Sequence, residues 1–368
     1  MLETLIRKAR SMDASDLHME AGLPAVFRIR GELETHGKPL DSDALLLAGR
    51  SLIGDKNWSC FIEQCSFDLS ATIQGVRCRI NVMKTNKGVG LAIRLLSSFQ
   101  PTIKRLNLHP DLMAIAHHSH GLVLIGGATG SGKSSTLAAL IQEINHSQAK
   151  HIITIENPIE YPFKSLKSFI RQREVGRDTP SFSQGLMDAL REDPDVLMIG
   201  EIRDRETASN AVQAALTGHL VLSTLHTNDA PSSIARLLDI GIPAFLVSST
   251  VSGIIAQRLL RTICQECKFE RLLTEEEMTY LEMEQKPYKV WEGKGCDECR
   301  GTGYKGRTGI FEVLEFTERL KANITEQTDM TKIYEIARAD GMVSLRELAI
   351  QKLLDGQTTF QEIVSVTG

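Results

Sequence analysis

Gly127-Ala128-Thr129-Gly130-Ser131-Gly132-Lys133-Ser134 is the stretch whose reading decides the fold. It fits G-x-x-x-x-G-K-S/T. A short apolar run, 121–125, precedes it, and 135–145 follow with Leu137, Leu140, Ile141 and Ile144 on one helical face. Glycines let the backbone curl until several N–H groups point inward at a polyphosphate, and the helix N-terminus adds a partial positive charge. Gly127 to Gly132 and Ser135 then supply the cradle, Lys133 reaches the β- and γ-phosphates, and the Ser134 hydroxyl can ligate magnesium. The stretch predicts a strand–loop–helix site for a nucleoside triphosphate.

Outward from the loop, short β-rich runs recur at 152–155, 196–199 and 221–224, separated by helical stretches such as 206–217, which Gly218 can close. Near-continuous apolar strands between amphipathic helices predict an α/β fold with a parallel sheet covered on both faces. Ligands bind such sheets at the carboxyl ends of the strands. The residues after the strands are Glu156-Asn157-Pro158-Ile159-Glu160, Gly200-Glu201-Ile202-Arg203-Asp204 and Leu225-His226-Thr227. Removing a terminal phosphate needs magnesium, an oriented water and positive charge on the transferring oxygens. Glu156 and Glu160 are both candidates to take the proton from that water. Glu201 is left with the metal-side work, because Gly200 stands where an aspartate is common. His226 directly follows a strand and is read as a γ-phosphate contact or sensor. His219, across the strand from it, is read equally as a packed histidine and as a nucleotide contact.

The 368 residues imply two or three domains, and 42% hydrophobic with 24% charged residues describes an ordinary globular chain. A net charge of −4 gives no electrostatic footprint for nucleic acid. No apolar run approaches the roughly 20 residues of a membrane span. The N-terminus reads as an amphipathic helix (Leu2, Leu5, Ile6, Ala9), and the odd total of seven cysteines argues against a secreted disulfide framework; a cytoplasmic protein is expected. Residues 1–100 suggest an α+β domain with strands at 27–33, 66–72, 75–84 and 89–96. Period two puts Arg77 and Arg79 opposite Val76, Cys78, Ile80 and Val82, and Arg94 opposite Ile93 and Leu95. Cys60, Cys65 and Cys78 have no metal spacing and are expected as buried thiols. A linker is placed at 101–110, followed by the nucleotide domain at 111–262. Cys264-x-x-Cys267 and Cys296-x-x-Cys299 then form two knuckles within 263–303. Four thiolates fill a tetrahedral zinc site, leaving no open position, so the metal is expected to be structural. Residues 304–368 read as a helical tail with a strand near 306–312 and a capping box at Thr359–Glu362.

The runs 127–134, 156–160, 190–204 and 216–227 together resemble the Walker A, Asp box, Walker B and His box of secretion ATPases, the superfamily that drives type IV pili, type II secretion and competence pseudopili. The resemblance extends from about Ala14 to Gly368. It implies a PAS-like N-terminal domain joined to a RecA-like ATPase domain, with ATP between them, assembled as a homohexamer. Arg79 and Arg94 match N-terminal-domain arginines that reach the phosphates; Arg191 and Arg203 match arginines near the nucleotide or subunit boundary. The four-cysteine element is similar to that of the assembly (extension) branch, GspE/PilB-like, and retraction ATPases characteristically lack it. The resemblance thus implies a motor using ATP and magnesium, with structural zinc, acting at the cytoplasmic face of the inner membrane on a platform protein. Rival readings are a retraction ATPase, a nucleic-acid translocase and a non-catalytic nucleotide switch. A translocase needs a basic, aromatic-bearing channel, which an acidic chain with 5% aromatics does not advertise. Asn157 replaces the aspartate of the usual Glu-Asp-Pro, and Met187 stands where many members carry arginine. The further N-terminal domain of many relatives is expected to be absent.

Overall fold

A computed structural model describes residues 1–29, 31–96, 101–108 and 111–367, with Asp111 as backbone only. The chain divides into two compact units. Unit 1 is Met1–Gln100 with Glu156–Pro162 and Glu174–Asp178; unit 2 is Pro101–Ile155, Phe163–Arg173 and Thr179–Gly368.

Unit 1 runs α1 (Leu2–Ser11), β1 (Ala14–Met19), β2 (Ala25–Ile29), β3 (Glu32–His36), α2 (Ser42–Ile53), α3 (Asp55–Gln64), β4 (Ser66–Ile73), β5 (Val76–Thr85) and β6 (Gly88–Leu95). The strands form one antiparallel sheet in the order β3-β2-β1-β6-β5-β4. The α1 stripe behaves as its periodicity demands, burying Ile6 and Ala9 beside Phe27, Leu45, Phe61, Ile80 and Leu91. The single strand expected at 27–33 is instead a hairpin. Gly31, at φ +93°, takes the left-handed turn between β2 and β3, and Arg30 lies outside the described residues. Cys78 is buried as expected, and burial pushes its thiol up to about 11. Cys65 departs from expectation: it ends α3 at φ +59° and is exposed, while Cys60 is half-buried.

In unit 2 and its two excursions the order is α4 (Asp111–Ala116), β7 (Gly121–Gly126), α5 (Lys133–Ser147), β8 (His151–Glu156), β9 (Phe169–Glu174), α6 (Phe182–Ala189), β10 (Val196–Ile199), α7 (Arg205–Leu216), β11 (Leu220–Leu225), α8 (Ala230–Asp239), α9 (Ala244–Thr250) and β12 (Val251–Ile263). It continues with β13 (Lys268–Leu272), α10 (Glu275–Tyr280), β14 (Lys289–Gly293), β15 (Tyr304–Glu315), α11 (Glu318–Lys321), α12 (Met330–Ala339), α13 (Leu345–Leu354) and α14 (Phe360–Thr367). A seven-stranded sheet has the order β15-β12-β7-β11-β10-β8-β9, parallel from β12 through β8. Every residue of β7 and β11 is buried, as central parallel strands require. Leu137, Leu140, Ile141 and Ile144 of α5 pack with Val123 and Ile125 of β7. Each such burial contributes about 1.5–3 kcal/mol, which holds the loop between the two elements.

Of the stretch expected as a linker, residues 101–108 are described, and Ile103 and Leu108 are buried in this same core; His109 and Pro110 lie outside the described residues. The tail is less helical than its sequence suggests. β15 is a long strand antiparallel to β12, from Gly253↔Glu315 to Ile263↔Tyr304, and the β13–β14 hairpin is an excursion between the two. Glu312 of β15 is 2% exposed and accepts N–H bonds from Ala230 (2.7 Å) and Leu345 (3.2 Å), the starts of α8 and α13. Burial pushes its carboxyl above the usual range against the pull of those bonds. The expected capping box is half made: Thr359 Oγ accepts from Glu362 N–H at 3.2 Å, but the Glu362 carboxylate takes Arg261 N–H and Nε instead. Among the described residues no helix is long and apolar enough to cross a membrane.

Candidate active site

The loop between β7 and α5 is shaped by close approach. A Cβ on Gly127 would lie 2.7 Å from the Gln257 carbonyl oxygen and closer still to Ser131 Oγ; one on Gly132, where φ is +91°, would meet Gln257 Nε2 at 2.8 Å. Gly132 takes the N-cap position and offers α5 no side-chain cap, so a phosphate can take that role. Lys133, 9% exposed, donates Nζ to the carbonyls of Gly127 (2.8 Å) and Ala128 (2.9 Å). Burial pushes the Lys133 amine below its ordinary value, nearby Arg258 adds to this, and Glu201 opposes it. Ser131 Oγ is buried with no partner among the described residues. An orphaned hydroxyl and, in the same loop, an ammonium held by carbonyls among the described residues are the donor set of an anion site.

Sequence reasoning missed the brace beneath this loop. Gln257 of β12, 2% exposed, donates Nε2 to Ser131 O at 2.8 Å and accepts from Thr136 Oγ at 2.7 Å. The signal was present: an amide directly after the apolar run 254–256 must find partners if buried.

At the tip of β10 the backbone is gripped from both sides. Gly200 N–H donates to Ile155 O at 2.8 Å, Ile202 N–H to Thr224 O at 3.0 Å, and Thr224 Oγ to Gly200 O at 2.8 Å. A Cβ on Gly200 would stand 3.3 Å from the Phe182 ring, a physical reason for glycine where aspartate is common. Glu201 follows, 17% exposed, with Arg203 Nη2 on one carboxylate oxygen (2.7 Å) and His226 Nε2 facing the other (3.4 Å). The β7–β11 register, Gly126↔Leu225, puts His226 on the edge from which the phosphate loop springs. Lys133, Glu201, Arg203 and His226 are thus brought together.

His219 and Arg191 are not. His219 Nδ1 faces Ala214 O (3.0 Å) and Thr217 Oγ (3.2 Å), closing α7 at the edge where β11 starts. A six-residue strand spans about 20 Å, and period and length set 219 and 226 at its opposite ends. Arg191 follows α6 on the edge from which β10 starts and is exposed.

Unit 1 holds the other candidates. Arg79 and Arg94 face each other directly across β5 and β6, both exposed. Paired like charges destabilise a sheet unless an anion lies between or beside them. Asp16, opposite Arg94 on β1, accepts its Nε at 3.0 Å. Burial alone would raise the Asp16 carboxyl, but bonds from Ser15 and Arg94 hold it below its ordinary value. Glu156 is buried at the end of β8, its carbonyl accepting Val175 N–H at 2.8 Å, and Glu160 is half-buried; Asn157 is exposed.

The four cysteines bring all their Sγ atoms within 4.8 Å of one another and form no disulfide. The separations 264–296 (3.9 Å), 267–299 (3.7 Å) and 296–299 (3.7 Å) match the roughly 3.8 Å edge of a tetrahedron with a metal–sulfur distance near 2.3 Å. Burial would raise the Cys299 thiol, yet N–H bonds from Cys296 (3.1 Å) and Gly303 (3.2 Å) bring it down to about 6. The chain returns so tightly here that a Cβ on Gly295 would lie 2.7 Å from Gly301 O.

A family model described as "Type II/IV secretion system protein" matches residues 1–365. Type II secretion system protein E of Aeromonas hydrophila is 38% identical, over 100% of this chain and 75% of that protein. Type IV pilus assembly ATPase TfpB of Acinetobacter baylyi is 34% identical, over 100% of this chain and 65% of that protein. Among solved structures, the pilus retraction motor PilT with bound ADP is similar with a TM-score of 0.81 and 33% identity, over 99% of this chain and 96% of that one.

Proposed function

This chain is an ATPase of the type II/IV secretion system protein family, and we propose that its turnover powers assembly of a pilus or secretion pseudopilus. The observation that carries the reading is the carboxyl edge of the parallel sheet, where a glycine cradle, Lys133, Glu201 and His226 converge on one place. The loop amides and Lys133 bind and orient the triphosphate, and Lys133 exchanges its two carbonyl partners for phosphate oxygens. The Ser134 hydroxyl, on the side of Glu201, would hold magnesium, which would supply neutralisation of the phosphate charge. Glu156 or Glu160 takes the proton of the attacking water. His226, sharing Glu201 with Arg203, reports whether the γ-phosphate is present. Arg79, Arg94 and Arg191 are assigned to phosphate and subunit contacts in a homohexamer.

Residues 1–100 are read as PAS-like, 101–110 as a linker, 111–262 as the RecA-like ATPase domain, 263–303 as the cysteine element and 304–368 as a helical subdomain. The partner is a platform protein at the cytoplasmic face of the inner membrane, and nucleic acid has no role. The cysteine quartet fits a closed zinc site, where the metal would supply cross-linking; the likeness of this element to that of the assembly branch favours assembly over retraction.

Phosphate release from magnesium-ATP by the full chain tests the motor. Lys133→Ala is expected to lower it about 1,000-fold, by loss of a charge aimed at the transferring oxygens. A variant retaining a tenth of the rate would refute the loop's role. Elemental analysis is expected to find one zinc per chain and none in Cys264→Ser; a metal-free native chain would end the assignment to zinc.

A further inference from the structure

Glu174 closes β9 with its carboxylate 4% exposed, inside unit 1. One of its oxygens accepts Ile159 N–H at 3.2 Å, Arg77 Nη2 at 3.1 Å and the Ser70 hydroxyl; the other accepts Ser70 N–H at 3.3 Å. Arg77, 12% exposed on β5, donates Nε to Ile159 O at 3.0 Å and Nη2 to the same Ser70 hydroxyl. Ile159, itself buried, therefore has both its N–H and its C=O held by one ion pair. The carbonyl of Glu156 is tied separately to Val175 N–H. The segment between β8 and residue 162 is fixed at two points, and Glu160 is the next residue after the second.

A buried ion pair contributes little net stability, because desolvation offsets most of its attraction. Its geometry here is better explained by what it holds. Neither β4, β5 nor the end of β9 needs this pair for its ladder, and a backbone segment at a surface would satisfy Ile159 with water.

We infer that Arg77 and Glu174 are positioning residues: they fix the backbone of the Glu156–Glu160 segment and thereby the placement of the carboxylate that directs the attacking water. The inference rests on the reading of Glu156 or Glu160 in that role. The pair acts through the backbone of Ile159 and takes no proton. Its effect is to keep the carboxylate within the small displacement that hydrolysis tolerates.

The test uses the full chain, with Glu174→Gln and Arg77→Lys. The first keeps the size but places an amide NH2 among donors; the second keeps the charge but loses the Nε bond to Ile159. Hydrogen exchange of the peptide spanning 156–162 is expected to rise in both, with unit 1 away from Ser70 unchanged. ATP turnover is expected to fall about 10- to 100-fold with KM for ATP within about twofold, the loss that a misplacement near 1 Å produces. Glu160→Gln combined with Glu174→Gln should then be no slower than the slower single variant. Unchanged exchange in 156–162 overturns the inference, as does a parallel fall in melting temperature and rise in KM, which would mark a merely structural pair. If Glu156→Gln and Glu160→Gln both hydrolyse at the native rate, the functional reading beneath fails, and the exchange result alone then decides whether the clamp exists.

Discussion

Where β7, β10 and β11 end, Lys133 is turned back onto two loop carbonyls, Ser131 Oγ has no partner among the described residues, and Glu201 lies between an exposed arginine and an exposed histidine. Where β8, β10 and β11 begin, the same residue types serve the chain itself. His219 Nδ1 faces a helix-end carbonyl, and Asp195 takes His151 N–H at 2.8 Å and Lys150 Nζ at 3.2 Å. Burial would raise the Asp195 carboxyl, but those two bonds hold it below its ordinary value. One edge spends its polar groups on closing turns; the other gathers a lysine, a carboxylate, an arginine and a histidine beside the glycine loop. In a parallel sheet this asymmetry is expected, since loops and helix N-termini gather at the carboxyl edge and direct N–H groups outward there.

Glu201→Gln should give the largest effect that separates the edges, about a 100-fold loss of turnover with nucleotide binding retained. A labelled nucleotide titration beside a phosphate-release assay measures both quantities. Equal losses in the two would assign Glu201 to binding instead. The two histidines sharpen the contrast at smaller amplitude. His226→Ala should slow turnover about tenfold, a modest share of the electrostatic contribution at such a site. His219→Ala should leave turnover within about twofold and instead cost about 1 kcal/mol of stability, the worth of one hydrogen bond. Chemical denaturation and steady-state kinetics on both variants decide it, and reversed roles would erase the distinction between the edges.

The carboxyl edge was largely legible in the sequence. A glycine loop, a lysine and the residues after apolar runs are local features, and their placement on one edge follows from strand direction and period. The distance between His219 and His226 was legible too, because a six-residue strand between them separates the ends. What escaped depends on partners far along the chain. β12 finds β15 only after the cysteine excursion, Gln257 braces Ser131 and Thr136 from more than a hundred residues away, and Arg77 meets Glu174 across a similar gap. β1 was hidden for another reason: Ser15, Asp16 and His18 make a short strand read as polar, although Leu17 and Met19 are buried.

Spacing alone determined the phosphate loop, the carboxylate and histidine that follow neighbouring strands, and the cysteine quartet, because each is set by a handful of consecutive residues and the fixed geometry of one strand or turn. Only the tertiary structure decided that His219 turns back onto its own helix end, what holds Ser131 and Ile159 in place, and that a strand from the tail completes the sheet. Those are contacts between segments remote in sequence, and nothing in a local pattern encodes which remote partner a buried amide, carboxylate or strand edge will find.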